Sequence, residues 1–190
     1  MSNIRLTKSI SLIGLMGAGK SAIGRALSQE LNCPLADSDA EIVAEAGISI
    51  PEIFEIAGEA KFREMELRAI TRLLDGPPVI LSTGGGAFCQ DDTHHIIQHH
   101  STSLWIYAPP ATLLSRMSKP LKRPLLQVDD PLAVLERLAR DREAYYARAA
   151  LKVDTDGCSL SQATERVVEA LKQAGVIALD DAPIASVSTG

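Results

Sequence analysis

Basic residues are in the minority: 19 Lys and Arg stand against 24 Asp and Glu, for a net charge of −5. A general nucleic-acid binder needs an excess of cations to neutralise phosphates, so that class is excluded, although a local basic patch is not. Cysteine is sparse. Cys33, Cys89 and Cys158 lie far apart and form no C-x-x-C pair, which fits inert thiols in a reducing cytoplasm. No apolar run approaches the ~20 residues of a membrane span, and the first eight residues, Met1 to Lys8, lack the apolar core of a secretory signal. Aromatics make up only 4% of the chain, within 46% apolar and 23% charged residues overall. There is no internal repeat and no low-complexity segment. What is left is one globular domain over residues 1–175, with a small, polar, aperiodic tail over 176–190, expected as a monomer without nucleic-acid or membrane partners.

What is present is organised around Gly14-Leu15-Met16-Gly17-Ala18-Gly19-Lys20-Ser21, a full match to G-x-x-x-x-G-K-[ST]. It follows the apolar run Ile10-Ser11-Leu12-Ile13 and opens a segment with Ile23, Ala26, Leu27 and Leu31 at helical spacing. Strand, loop and helix in that order are the context the motif requires. The glycines let successive backbone N–H groups curl toward a polyphosphate at the positive end of a helix. The Lys20 charge reaches β- and γ-phosphates, and the Ser21 hydroxyl is placed for Mg²⁺. A nucleoside triphosphate is therefore the expected ligand, with Gly17, Ala18, Gly19, Lys20, Ser21 and Ala22 as its cradle.

Downstream, short apolar runs alternate with helical patterns. Strands are expected at 33–36, 79–82, 104–107 and 151–153, and helices at 40–46, 49–57, 59–74, 91–100, 110–117, 132–150 and 160–173. Gly58 is read as a stop between two helices, and residues 118–130, with Pro120 and Pro124, as a mobile loop. The alternation predicts an α/β fold, a five-stranded parallel sheet with helices on both faces. Ligands gather at the carboxyl ends of such strands. Asp37-Ser38-Asp39 and Thr83-Gly84-Gly85-Gly86 fall at strand ends, as the phosphate loop does.

Asp37 and Asp39, read as extended backbone, put two carboxylates on one side, one for a metal and one for a substrate hydroxyl. The competing reading is a helix N-cap at Ser38 or Asp39. Arg63 and Glu66 are one helical turn apart, so the carboxylate can aim the guanidinium at a substrate carboxylate; spacing alone equally describes a surface ion pair. Arg116, Lys119, Lys122 and Arg123 place four cations in eight residues, the charge a lid over triphosphate requires. Arg142, beside Tyr145-Tyr146, is another anion ligand candidate. His94, His95, His99 and His100 have no carboxylate or cysteine joining them in sequence and do not amount to a metal site. Cys89 is read as a packed thiol.

In order, residues 14–21, Asp37-x-Asp39, Phe62-Arg63-x-x-Glu66, Gly84-Gly85-Gly86 and Arg123-Pro124-Leu125-Leu126 resemble the shikimate kinase family, and the resemblance covers residues 10–173. It implies a P-loop kinase fold with a lid over about 117–130 and a substrate-binding region over about 37–66. It implies transfer of the γ-phosphoryl of ATP, with Mg²⁺, to the 3-hydroxyl of shikimate. Matched position by position, Asp39 binds the reacting hydroxyl and takes its proton, and Asp37 stands on the metal side with Ser21. Arg63 and Arg142 hold the carboxylate, and Gly84, Gly85 and Gly86 line the ring. Phe54 and Phe62 form the apolar wall, Arg123 is the lid arginine, acting in catalysis with Asp39 and Lys20, and Arg116 covers adenine beside Val153-Asp154-Thr155. The chain departs from the family pattern at Pro120, where such lids are often glycine-rich. Two other readings share parts of this pattern: a gluconate or nucleoside monophosphate kinase, and a regulatory nucleotide-binding module. The first is not expected to combine Asp37, Arg63 and three glycines; for the second, no N-K-x-D guanine-reading sequence is present.

Overall fold

A computed structural model describes residues 4–117 and 124–179. Lys119, Lys122 and Arg123, and with them the lid assignment over 118–123, lie outside the described residues. Five parallel strands, β2 (Ser9–Ile13), β3 (Leu35–Asp37), β4 (Ile80–Ser82), β5 (Ser101–Tyr107) and β6 (Leu151–Asp154), form a sheet in the order β3-β4-β2-β5-β6. β2 lies at the centre and every one of its residues is buried, as expected for a strand covered on both faces. Its two serines survive there because each has a partner: Ser11 Oγ shares a 2.7 Å hydrogen bond with Ser101 Oγ, and Ser9 Oγ accepts from the Val79 N–H at 3.1 Å.

The helices between strands are α1 (Lys20–Glu30), α2 (Ser38–Ala46), α3 (Ile50–Leu74), α4 (Asp91–His100), α5 (Pro110–Arg116), α6 (Pro131–Tyr146) and α7 (Leu160–Gln173). Their starts are chemically marked. Ser49 with Glu52 and Ser159 with Gln162 form reciprocal capping boxes at α3 and α7, and Pro51 sits in the first turn of α3.

Of three sequence expectations, two change. The third, the stop expected at Gly58, holds: inside α3 that one residue leaves helical geometry, with φ 78° and ψ 173°, so two helical stretches meet there across a kink, in a conformation only glycine adopts cheaply. Asp37 and Asp39 do not share extended backbone. Asp37 ends β3 and is itself the N-cap of α2, its Oδ1 accepting from the N–H groups of Asp39 (3.0 Å) and Ala40 (3.3 Å), while Asp39 is already helical. The tail expected from residue 176 instead begins with buried Val176 and Ile177, and β7 (Ile177–Leu179) pairs antiparallel with β1 (Ile4–Leu6). A three-residue strand whose partners lie 171–175 residues away carries no local periodicity to read. Where the described residues resume, a single 3₁₀ turn covers Pro124–Leu126, and Leu126 is fully buried.

Apolar side chains divide into two clusters. The larger surrounds the sheet and includes Ile10, Leu12, Leu27, Ile70, Leu81, Leu104, Val167 and Leu171. The smaller holds four buried residues, Ile42, Ile53, Phe62 and Ala69, between α2 and α3.

Candidate active site

The loop between β2 and α1 curls as its sequence demands. Gly17 has φ 82°, and a Cβ there would come within 2.6 Å of the Leu113 carbonyl oxygen, so neither the dihedral nor the space admits a side chain. Lys20, the first residue of α1, extends its ammonium back across the loop, with Nζ donating to the carbonyls of Gly14 (2.7 Å) and Leu15 (3.1 Å). Ser21 stands exposed in the first turn.

At the far end, the Arg116 guanidinium donates to Thr155 Oγ1 at 3.0 Å and also to the Thr155 carbonyl, and Thr155 Oγ1 in turn donates to the Tyr107 carbonyl at 2.9 Å. The 153–155 strand end thus holds Arg116 rather than lining the cleft. The lining there comes from Cys158, Ser159, Leu160 and Ala163 at the start of α7, which sequence reasoning missed. Leu160 is 51% exposed, although its spacing to Ala163 and Val167 places it on the apolar stripe of α7. Nothing in the helical period set it apart from the buried residues that follow. Arg25, one turn beyond Ser21, also lines the cleft and was not anticipated.

The opposite end is assembled from four separate elements. Asp39 projects from the first turn of α2. Arg63 and Glu66 project from α3 past the kink, joined at 2.7 Å between Nη1 and Oε2, while Arg63 Nη2 also meets Glu59 Oε1 at 3.1 Å. Arg142 comes from α6. Gly84, Gly85 and Gly86 follow β4, and each passes against a different charged group. A Cβ built on Gly84 would lie 2.9 Å from Asp39 Oδ1 and 3.1 Å from Glu66 Oε1; on Gly85, 3.0 Å from Arg142 Nη1; on Gly86, 2.7 Å from Arg63 Nη2. Three consecutive glycines are explained by that crowding, since backbone alone fits among four ionisable side chains. Tyr146, one turn after Arg142, fixes the run by donating from its hydroxyl to the Gly85 carbonyl at 2.5 Å. Phe54 and Phe62 stack with ring centroids 4.7 Å apart, and the Arg63 guanidinium lies 5.2 Å from the Phe62 ring centre.

The charges are tuned by this packing. Burial, then the neighbouring Asp37, pushes the Asp39 carboxyl up, while Lys20 and Arg63 pull against both. Glu66, 1% exposed, is also pushed up, by burial first, with Asp39 adding to it and Arg63 opposing. Burial alone would lower Arg63, but its bonds and charges with Glu66 and Glu59 outweigh that and hold it firmly protonated. The Tyr146 phenol is pushed up to about 12 by burial, so it stays a donor.

The donors facing the loop suit a small hard cation. Ser21 offers a hydroxyl, and Asp37, whose Oδ1 caps α2, offers a second carboxylate oxygen; an all-oxygen set of this kind is what Mg²⁺ prefers. The histidines of α4 do not make such a set. His94 is buried with Nδ1 2.7 Å from Arg148 Nη2, His95 and His99 stack at 4.2 Å, and no group of three His, Cys, Asp or Glu could hold a metal among the described residues.

One cavity of about 1140 Å³ joins the two ends, with the loop and Lys20, Asp39, Arg63, Arg142 and the three glycines in its wall. Residues 16–172 match the family profile described as shikimate kinase. A shikimate kinase of Ruegeria pomeroyi is 48% identical over 167 residues, 87% of this chain and 86% of that protein. The solved shikimate kinase of Acinetobacter baumannii in complex with shikimate superposes with a TM-score of 0.82 at 32% identity, over 88% of this chain and 94% of that one. A gluconokinase from Sinorhizobium meliloti, 18% identical with a TM-score of 0.61 over 90% and 94% of the two chains, shares the fold.

Proposed function

The chain belongs to the shikimate kinase family, and from that premise we propose how its site transfers the γ-phosphoryl of ATP to the 3-hydroxyl of shikimate. The observation that carries the reading is the single cavity in which a triphosphate loop faces a carboxylate base and two arginines. The phosphates lie in the cradle of residues 17–22, with the Lys20 ammonium turning from the loop carbonyls onto them. Arg116, anchored on Thr155, and Leu160 flank the base end. The acceptor carboxylate is gripped by Arg63 and Arg142, the ring lies on the backbone of Gly84, Gly85 and Gly86, and Phe54 and Phe62 close the apolar side.

That grip presents the 3-hydroxyl to Asp39. The hydroxyl oxygen forms a bond to the γ-phosphorus as the bond to the β,γ-bridging oxygen breaks, ADP leaves, and the hydroxyl proton passes to the Asp39 carboxylate. Catalysis of this kind comes mainly from positioning and charge neutralisation. Asp39 suits the task because its raised affinity for a proton makes it a better acceptor than an ordinary aspartate. When bound, Mg²⁺ held by Ser21 and, through water, Asp37 neutralises phosphate charge. We assign Arg123 to a closing lid that excludes water, the protein to the cytoplasm, and its working form to a monomer.

A coupled assay with ATP and Mg²⁺ across shikimate, gluconate and nucleoside monophosphates tests the assignment. Turnover confined to shikimate is expected. Turnover of gluconate or a nucleotide without shikimate overturns it, as does preference for GTP with no acceptor turned over.

A further inference from the structure

His94 and Arg148 lie outside the cleft, yet they join two segments that reach into it. His94 is 5% exposed on α4, and its Nδ1 stands 2.7 Å from Arg148 Nη2. A guanidinium has no acceptor, so Nδ1 is the bare nitrogen and the ring proton sits on Nε2. Nε2 is buried with no hydrogen-bond partner among the described residues, and the Phe88 ring packs against the imidazole with centroids 4.6 Å apart. These surroundings suit a neutral ring only. An imidazolium would press one N–H against a cation and leave the other without an acceptor.

The pair closes a ring of contacts around the glycine run. After Gly86 a 3₁₀ turn over Ala87–Cys89 leads toward α4, with the N–H groups of Ala87 and Cys89 donating to the carbonyls of Gly84 (3.2 Å) and Gly86 (3.1 Å). One face of α4 then grips Arg148: Asp91 at 3.4 Å, His94, and Gln98, whose amide donates to the Arg148 carbonyl at 3.1 Å. Arg148 stands two residues beyond Tyr146, which returns to the Gly85 carbonyl through its hydroxyl. The Asp91 carboxylate is 88% exposed and holds the guanidinium weakly, so the buried hold on that group is His94. We propose that His94 is a positioning residue for the acceptor: by accepting from Arg148 it fixes the end of α6, and with it Arg142 and Tyr146, against the glycine run. This deepens the proposed function and rests on it, since the grip being positioned is the one assigned to the acceptor carboxylate.

A pH dependence follows from the same contacts. The charged groups acting on the ring are Arg148 from beyond α6 and Asp91 and His95 on its own helix. Burial, then Arg148, pushes the His94 ring below the ordinary histidine value, with Asp91 opposing and His95 adding. As pH falls through that lowered value, a proton on Nδ1 breaks the bond to Arg148 and loosens the acceptor grip, while the phosphate loop is untouched.

The test measures shikimate and ATP affinity by titration calorimetry, beside kcat and KM, in wild type, H94N, H94L and R148M from neutral to mildly acid pH. H94L and R148M should each weaken shikimate binding roughly 5- to 20-fold at neutral pH and leave ATP affinity nearly unchanged. H94N, whose amide oxygen replaces Nδ1 as the acceptor and cannot take up a proton, should bind shikimate as wild type does at neutral pH. Asp39 and Glu66 are pushed up toward the same acid range, so the signal is the difference: wild type weakens more than H94N as pH falls. Variants that melt lower yet bind shikimate like wild type overturn the proposal, as does an identical pH dependence in wild type and H94N. Arg148 is 41% exposed, so R148M tests the same bond without opening the core should H94L fail to fold. If wild type does not turn over shikimate at all, the proposed function falls instead, and nitrogen NMR of the ring still decides the pair. A proton on Nε2, with a titration that R148M raises, supports it; a proton on Nδ1 overturns it.

Discussion

The two ends of the cleft are built differently. The phosphate end is one continuous stretch of chain between β2 and α1, backed by the large core around the sheet. The acceptor end draws on α2, α3, the turn after β4, and α6, and α2 meets α3 over a small cluster with four buried residues plus surface ion pairs, while Ile70 and Leu74 farther along α3 join the large core. Those pairs, Arg68 with Glu45 and Arg72 with Glu41 and Glu45, tie α2 to α3 at 2.8–3.3 Å but are half exposed. The lesson is that binding phosphate needs one rigid loop, whereas choosing an acceptor needs several elements held in register by modest forces. Substitutions at the acceptor end should therefore affect acceptor selection and local stability while leaving nucleotide binding largely alone.

The largest effect is expected from Asp39→Asn, which removes the proton acceptor: kcat falls by about 10²–10⁴-fold while ATP affinity, read by titration calorimetry, barely moves. Its stability should move the other way. A raised carboxyl value in the folded state means that stability declines as pH rises from the ordinary aspartate range through the raised value. Melting curves of the Asn variant should lack that decline, and a variant that melts lower at neutral pH would contradict the sign. Arg63→Ala comes next. It should raise KM for shikimate by an amount worth roughly 2–5 kcal/mol, because Glu66 is left buried and unpaired, and an unchanged KM would detach Arg63 from the acceptor. Phe62→Ala opens the small core and should cost about 3 kcal/mol in denaturant unfolding, with shikimate KM rising more than the dissociation constant of ATP. Equal losses at both ends would abolish the contrast.

Asp37→Asn sharpens it electrostatically. Asp37 is second only to burial in raising Asp39, so the acid limb of the pH profile of kcat should shift to lower pH. A limb that moves up would mean that Asp37 acts on Asp39 by some other route. The smallest effect belongs to Arg72→Ala, an exposed partner worth about 0–1 kcal/mol and less in high salt, visible as a slight loosening of shikimate binding.

The same asymmetry explains what could be read from sequence. The phosphate loop is legible because glycine spacing, Lys20 and Ser21 act on neighbours within eight residues. The acceptor end is legible only in pieces. Arg63 and Glu66 pair locally, and three glycines announce a close approach, but nothing in their sequence says that what approaches is Asp39, Glu66, Arg142 and Arg63 in turn. Asp37 was misjudged because helix capping begins one residue earlier than expected, turning a strand-end carboxylate into a cap. Gly58 was legible as a break because a positive φ is cheap only for glycine. The paired ends, β1 and β7, were invisible for want of any local signal.

The floor under the acceptor consists of peptide groups only, and this restricts how the enzyme can diversify. A point substitution at residues 84, 85 or 86 has to displace the end of Asp39, Arg142 or Arg63 respectively, since a Cβ there falls within 2.7–3.0 Å of it. Any drift toward a different small acid has to arise on the helices above, with the floor inherited unaltered.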